Sequence, residues 1–244
     1  MIEFNSYHQY ITKHHDYDGY LTDVTSRYTN LTEREKTAFI KNEPMLFSCD
    51  ADFAYKNGGP LTIEFLDQLA ESQQTPLDNL IIDSRSHMLM PNWYPCIPGW
   101  HLDDVDRSVR ADGQPDHVNP SYKPQHFMRI IGDCSRTSFL CGSISLPDVP
   151  DGQLNTETVC PESSIYEYWH KLIEEKVKTR RALEVPVQEG SIIVFDWQSF
   201  HKGNPATKNG WRWFIRASAK SKRPIVNEIR KQTQVYLAAP FEGW

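Results

Sequence analysis

No stretch of the chain approaches eighteen consecutive apolar residues, so nothing in it reads as a membrane-spanning helix. Cysteine is sparse and scattered. Cys49, Cys96, Cys134, Cys141 and Cys160 are odd in number and form no CxxC pair, which excludes a zinc knuckle and reads as reduced thiols filling small core positions. Basic runs are missing as well: the formal net charge is -6, and no cluster of Lys or Arg stands free of acids. The attraction that a nucleic-acid polymer demands is therefore absent. The opening residues, MIEFNSYHQYITKHHDYDGY, lack the basic start, apolar core and small-residue cleavage site of a secretory signal. The chain carries no internal repeat and no low-complexity tract. The expectation is a soluble, cytoplasmic protein that acts on a small molecule, with neither nucleic acid nor membrane as partner.

Rings are plentiful. Seven Trp, eleven Tyr and eleven Phe within a hydrophobic fraction of 39% give enough apolar surface for a packed core, and a length of 244 residues suits one domain. Within that domain, residues 1–79 read as a helical support region, 80–220 as a β-rich core and 221–244 as a C-terminal extension. In the support region, NLTEREKTAFIKNE offers Thr32 as an N-cap with Glu35 three residues on. PLTIEFLDQLAES puts Leu61, Phe65, Leu66 and Leu69 on one helical face. From Leu80 the texture changes to short runs closed by turn residues: LIIDS, HMLMP, FMRII, TSFLCGSISL, LEVPV, SIIVFD and WRWFIRAS. That cadence predicts an all-β sandwich or barrel. One helix interrupts it, PESSIYEYWHKLIEEKVKTRR, with Ile165, Tyr168, Trp169 and Leu172 at helical spacing. PDVPDGQLNTETVCP before it reads as a long surface loop, and VYLAAPFEGW as a last strand or an ordered tail.

Two motifs carry chemistry. In PGWHLDDVDR, His101 and Asp103 are two apart, and on extended backbone such residues project to one side while Leu102 turns away. A metal held by that pair needs a third ligand from elsewhere, and His201, after the strand and turn of SIIVFDWQSFHKGNP, is the candidate. Two imidazoles and one carboxylate leave three adjacent positions open, an arrangement suited to non-haem Fe(II) that must also bind a co-substrate and dioxygen. Arg212 and Arg216 lie further on, sharing one strand face with Phe214 and Ser218. Were that face to look inward, two guanidinium groups would be buried, a cost that an anion such as a dicarboxylate offsets.

GWHLDD, EGSIIVFDWQSFHKGNP and an Arg eleven positions past the second His together resemble the Fe(II)/2-oxoglutarate-dependent dioxygenases, most nearly their phytanoyl-CoA hydroxylase-like and prolyl-hydroxylase-like branches. The resemblance spans roughly residues 80 to 220. It implies a mainly β fold with flanking helices, a double-stranded β-helix or cupin-like jelly-roll barrel. It implies His101, Asp103 and His201 as iron ligands and catalytic residues, and Arg212 as the partner of the distal carboxylate of 2-oxoglutarate. Arg216 falls where some members hold a substrate anion or the co-substrate. The cofactors implied are Fe(II), 2-oxoglutarate as co-substrate, and O2. The chlorinating members carry a small residue in place of the ligand carboxylate; Asp103 is present, so the implied reaction is hydroxylation or desaturation, with release of succinate and CO2.

Each motif also has a plainer reading. A second HxD pair, His14 and Asp16, reads as a solvated segment, and Asp104 and Asp106 as loop acids or acceptors behind the ligands. Trp93, Tyr94, Trp100 and Trp197 are packing residues first. Trp100 and Tyr94, with Arg129 beside a hairpin turn, are the candidates for substrate contact. For the whole chain the alternatives are a cupin-type metalloprotein, isomerase or hydrolase, holding Zn or Mn on the same ligands, and a non-catalytic jelly-roll binding module.

Overall fold

The run GWRWFIRASA alternates Trp213, Ile215 and Ala217 with Arg212, Phe214, Arg216 and Ser218, and both sets are largely buried. Such a strand must be covered on both faces. A computed structural model shows how; it describes residues 1–13, 22–72, 76–108, 115–147 and 161–237. The second HxD pair, the loop at 148–160 and the end of the chain from 238 lie outside the described residues.

The chain order is β1 (Ile2–Ser6), β2 (His8–Tyr10), β3 (Thr12–Lys13), β4 (Thr22–Asp23), α1 (Glu33–Asn42), β5 (Leu46–Phe47), α2 (Ala51–Asn57), α3 (Pro60–Glu71), β6 (Ile81–Leu89), β7 (Gln125–Ile131), β8 (Thr137–Leu146), α4 (Pro161–Lys178), β9 (Leu183–Pro186), β10 (Ile193–Asp196), β11 (His201–Gly203), β12 (Gly210–Ala219) and β13 (Glu228–Ile229). One antiparallel sheet runs β2-β10-β7-β12-β6, and a second joins β1, β8 and β11, with β9 also on β8. The fold is mainly β with flanking helices, in four layers. Trp213, Ile215 and Ala217 pack with Phe65, Leu66 and Leu69 of α3 on the outside of the five-stranded sheet. Met128, Ile130, Phe139, Ile193 and Phe195 fill the space between the sheets. Leu140, Ile144 and Phe4 meet Trp169 and Ile173 of α4 on the far side.

Local chemistry places these layers. Thr32 and Glu35 form the expected capping box at the start of α1. Gly59, the N-cap of α3, has no side chain to cap with, and Glu43 supplies the acceptor: its carboxylate takes the N–H groups of Gly59, Leu61 and Thr62 at 3.1, 3.1 and 2.8 Å.

Several expectations are revised. The two runs LIIDS and HMLMP belong to one strand, β6. The N-terminal region is more than helical support, because β1 and β2 enter different sheets and the chain turns the corner at Tyr7, whose carbonyl accepts from Ser199 Oγ at 2.8 Å. A third helix, α2, sits between the two expected ones. On α4 the buried stripe runs through Trp169 and Ile173 while Tyr168 faces solvent. Among the described residues the two sheets are stacked without strand pairing that would close them into the expected barrel.

At the end of β7, Gly132 has φ +103°, and a Cβ there would lie 2.2 Å from the Trp211 carbonyl oxygen and 3.1 Å from the Arg212 Cα. Both the backbone conformation and the close approach demand glycine. Gly132→Ala is expected to lower the unfolding free energy by about 2–4 kcal/mol in a urea titration; an unchanged midpoint would show that β12 yields to the methyl group.

Candidate metal centre

His101 and His201 exchange both main-chain hydrogen bonds, N–H of His101 to the carbonyl of His201 at 3.0 Å and the reverse at 3.1 Å. Directly opposed residues of an antiparallel pair carry their side chains to the same face. The two rings accordingly lie with centroids 4.6 Å apart. In each, Nδ1 meets the carbonyl oxygen two residues earlier, Gly99 at 2.9 Å and Ser199 at 3.0 Å. A carbonyl can only accept, so Nδ1 carries the hydrogen and Nε2 keeps its lone pair.

Asp103 joins them from the bend after His101, while Leu102 turns into the apolar layer under α4. Asp103 Oδ2 is 3.2 Å from His201 Nε2, and one potential ligand atom from each of the three side chains lies within 4.8 Å of the others. Adjacent ligands on an octahedral metal with bonds of about 2.1 Å are about 3 Å apart. The His201–Asp103 edge already has that length.

The charge states also fit a metal. Burial alone would push the Asp103 carboxyl up, but the Arg216 guanidinium against it overcomes this and holds the group well below the usual carboxylate range. Burial, then the charge of His201, pulls His101 down to about 4. A ligating imidazole must be neutral and a ligating carboxylate ionised.

Arg212 is buried on the inner face of β12, where its Nε donates to the Ser135 carbonyl at 3.1 Å and Nη2 to Thr137 Oγ1 at 3.0 Å. It has no ion pair with a described carboxylate, and burial draws its pKa down to about 10. A cavity of about 420 Å³ opens beside the triad, with His101, Asp103, Trp100, Arg85, Arg107 and Tyr236 among its lining residues. Its size is that of a small-molecule site.

The remaining sequence candidates separate. Arg216 bonds Asp103 through Nη1 and approaches Asp83 at 3.7 Å, so its guanidinium is engaged by carboxylates of the chain. Arg129 does not face the cavity. Alternation along β7 sends it outward with Phe127 to α3, where it reaches Glu64 at 3.4 Å and bonds Gln68. Trp100 borders the cavity but sinks its indole into the layer under α4, with Nε1 on Glu174 at 2.7 Å. Tyr94 pairs its main chain with Tyr236, and it is Tyr236 that lines the cavity. Asp104 lies 3.6 Å from Arg223, and Asp106 binds Ser108 and Ser121 in its own loop, so neither joins the triad.

Sequence reasoning missed Asp83, Arg85, His87 and His126. The first three alternate along β6 and face inward, Asp83 holding Arg223 at 2.8 Å and Arg230 at 3.4 Å. His126 on β7 is fully buried, with Nδ1 at 2.9 Å from Ser218 Oγ and Nε2 without a hydrogen-bond partner. The signal was present in IIDSRSHML as charged residues at every second position.

The sequence matches no protein-family model and no curated protein. Among solved structures, EvdO2 from Micromonospora carbonacea var. aurantiaca complexed with 2-oxoglutarate is 13% identical over 78% of this chain and 71% of its own, with a TM-score of 0.38. EvdO2 alone is 10% identical over 86% and 98%, at 0.32. CytC3 with Fe(II) and alpha-ketoglutarate is 11% identical over 77% and 76%, at 0.28. Likeness at this level carries no functional argument.

Burial sets a pH limit on the metal-free fold. Burial first, then Arg212 for His87 and Arg216 for His126, pulls both pKa values to about 3, and His101 stands at about 4. The unfolded chain protonates these rings near pH 6.5, the folded one only near 3–4, so unfolding takes up protons across that interval. Stability is full above pH 6.5 and falls as pH drops toward 4, with a slope approaching about 4 kcal/mol per pH unit for the three rings together. Urea midpoints of the metal-free protein measured from pH 7 to 4.5 check this, and a constant midpoint refutes it.

Proposed function

We propose that the chain is an Fe(II)- and 2-oxoglutarate-dependent dioxygenase, built on a jelly-roll core, that hydroxylates a C–H bond of a small or medium-sized substrate. The observation that carries the reading is one arrangement: two imidazoles and an ionised carboxylate converge beside a cavity, and the inward face of β12, in the other sheet, carries a buried arginine without a carboxylate partner among the described residues.

His101, Asp103 and His201 would hold the metal on one triangular face. The hydrogen bonds of His101 and His201 to Gly99 and Ser199 fix the ring orientations, and Arg216 Nη1 bonds Oδ2 of Asp103, the oxygen that also faces His201. Arg212 would pair bidentately with the distal carboxylate of the oxoacid, with Thr137 beside it as a further polar contact. When bound, ferrous iron with 2-oxoglutarate and dioxygen supplies the oxidation, the oxoacid leaving as succinate and CO2. The protein's part is ligation, orientation and exclusion of water.

An anaerobic Fe(II) titration with and without 2-oxoglutarate tests this reading. A visible metal-to-ligand charge-transfer band is expected only with both present. Metal binding without the band favours the cupin-type isomerase or hydrolase, and indifference to both additions favours a binding module. Asp103→Ala is expected to abolish succinate release with the fold retained. Arg212→Ala removes a charge-paired anchor worth about 2–5 kcal/mol, so 2-oxoglutarate should bind about 30 to several thousand times more weakly. Retained affinity in that variant moves the oxoacid to another cation.

A further inference from the structure

The arginines around the centre differ in how their charge is met. Arg216, Arg223 and Arg230 converge on Asp83, and Arg216 also holds Asp103. Arg212 is enclosed by Ser135 and Thr137. Arg85, half-buried on β6, lines the open cavity and makes neither an ion pair nor a side-chain hydrogen bond with any described residue. It stands opposite Phe214 in the β6–β12 register, between Asp83 and His87 on the inward face.

Acids on the cavity wall are already occupied. Asp103 is taken by Arg216 and His201, and Glu167 by Lys171 at 2.9 Å. The field of Arg85 extends across the space: burial pushes the Tyr236 phenol and the Cys96 thiol up, and the Arg85 charge opposes it at both. The cavity also offers apolar wall, with Ile97, Pro98 and Tyr166 facing the same volume as His101 and Asp103. A guanidinium that borders low-dielectric walls and lacks a counter-ion attracts an anion, and its planar fork matches a carboxylate.

We propose that Arg85 seats the anionic head of the substrate, and that the substrate class is a small organic acid with a carboxylate at one end and an apolar body lying against Ile97, Pro98 and Tyr166 beside the metal triad. This rests on the oxygenase reading only in calling the bound acid a substrate. The planar fork of a guanidinium matches a carboxylate bidentately, so a carboxylate is the anion assigned to it. Arg85 is a specificity-determining residue, distinct from the Arg212 seat of the co-substrate.

Isothermal calorimetry with 3-phenylpropionate, hexanoate and the neutral 3-phenylpropanamide tests the assignment, on metal-free protein and on the anaerobic Fe(II)/2-oxoglutarate form. Wild type is expected to bind the acids at least about tenfold more tightly than the amide. Arg85→Gln should remove that preference while leaving amide affinity, and 2-oxoglutarate affinity read from the charge-transfer band, within about twofold. Arg85→Lys, which keeps the charge, should restore part of the preference, and circular dichroism checks that both variants fold. No acid binding by wild type, equal binding of acid and amide, or unchanged acid affinity in Arg85→Gln overturns the proposal. A 2-oxoglutarate affinity that falls tenfold or more in Arg85→Gln overturns it too, by moving Arg85 into the co-substrate seat. A missing charge-transfer band in wild type defeats the oxygenase reading instead, and the metal-free titrations still decide the role of Arg85.

Discussion

The main-chain pair between His101 and His201 is the constraint from which the rest of the centre follows. Two short segments, neither of them long enough to hold its own geometry, fix each other through reciprocal hydrogen bonds of 3.0 and 3.1 Å. Side-chain packing supports the pair from one side: the His201 ring rests against Phe139 at 5.3 Å and Phe195 at 5.1 Å, both part of the apolar layer between the sheets. The imidazole is thus oriented by its Nδ1 hydrogen bond and by aromatic contacts that belong to the core itself. Ring orientation and core packing are one problem at this position.

Charge is the second constraint. The inner face of the five-stranded sheet carries Asp83, His87 and Arg212, all buried, and the partly buried Arg216, a set that a sheet selected for stability alone would replace with apolar residues. The C-terminal segment meets much of the cost. Arg223 and Arg230 reach Asp83, Thr233 Oγ1 lies 2.8 Å from His87 Nε2, and Tyr236 borders the cavity. What reads in sequence as an extension after the last long strand is therefore a wall of the site, tied through β13 to β5 and through Tyr236 to Tyr94.

Legibility in the sequence followed the range of the interactions. Short-range signals were clear: Thr32 with Glu35 marks a capping box, and the strand runs of FMRII, TSFLCGSISL and WRWFIRAS fall on β7, β8 and β12. The HxD spacing and the later His could be paired on chemical grounds, because two imidazoles and a carboxylate have few other reasons to converge. Long-range facts were hidden. Nothing in IEFNS or HQY announces that β1 and β2 go to separate sheets, since strand partners are not encoded within five residues. Arg129 was misread because alternation gives two faces without saying which is inside, and a buried arginine facing α3 looks in sequence like one facing a ligand. Arg85 was overlooked for the converse reason: flanked by Asp83 and His87, it resembles a solvated edge until the sheet places all three indoors.

The different fates of Arg212 and Arg216 come from register. Both lie on one face of β12, four residues apart, Arg212 buried and Arg216 partly so. Opposite Arg216 on β6 stands Asp83; opposite Arg212 stands His87. An ionised aspartate neutralises a guanidinium and turns it into part of the scaffold, which then steadies Asp103. His87, drawn down to about 3 by burial and by the nearby Arg212, is neutral at physiological pH and cannot do the same. Arg212 consequently keeps an uncompensated charge in a region where water is excluded, and that charge is most stable when an anion from outside the chain arrives to meet it. A slip of the β6–β12 pairing is opposed on both faces, because a one-residue shift would turn Arg212 toward α3 and Trp213 toward the metal ligands, and a two-residue shift would separate Arg216 from Asp83. The pairing that assembles the core is the same one that decides which arginine meets a carboxylate of the chain and which does not.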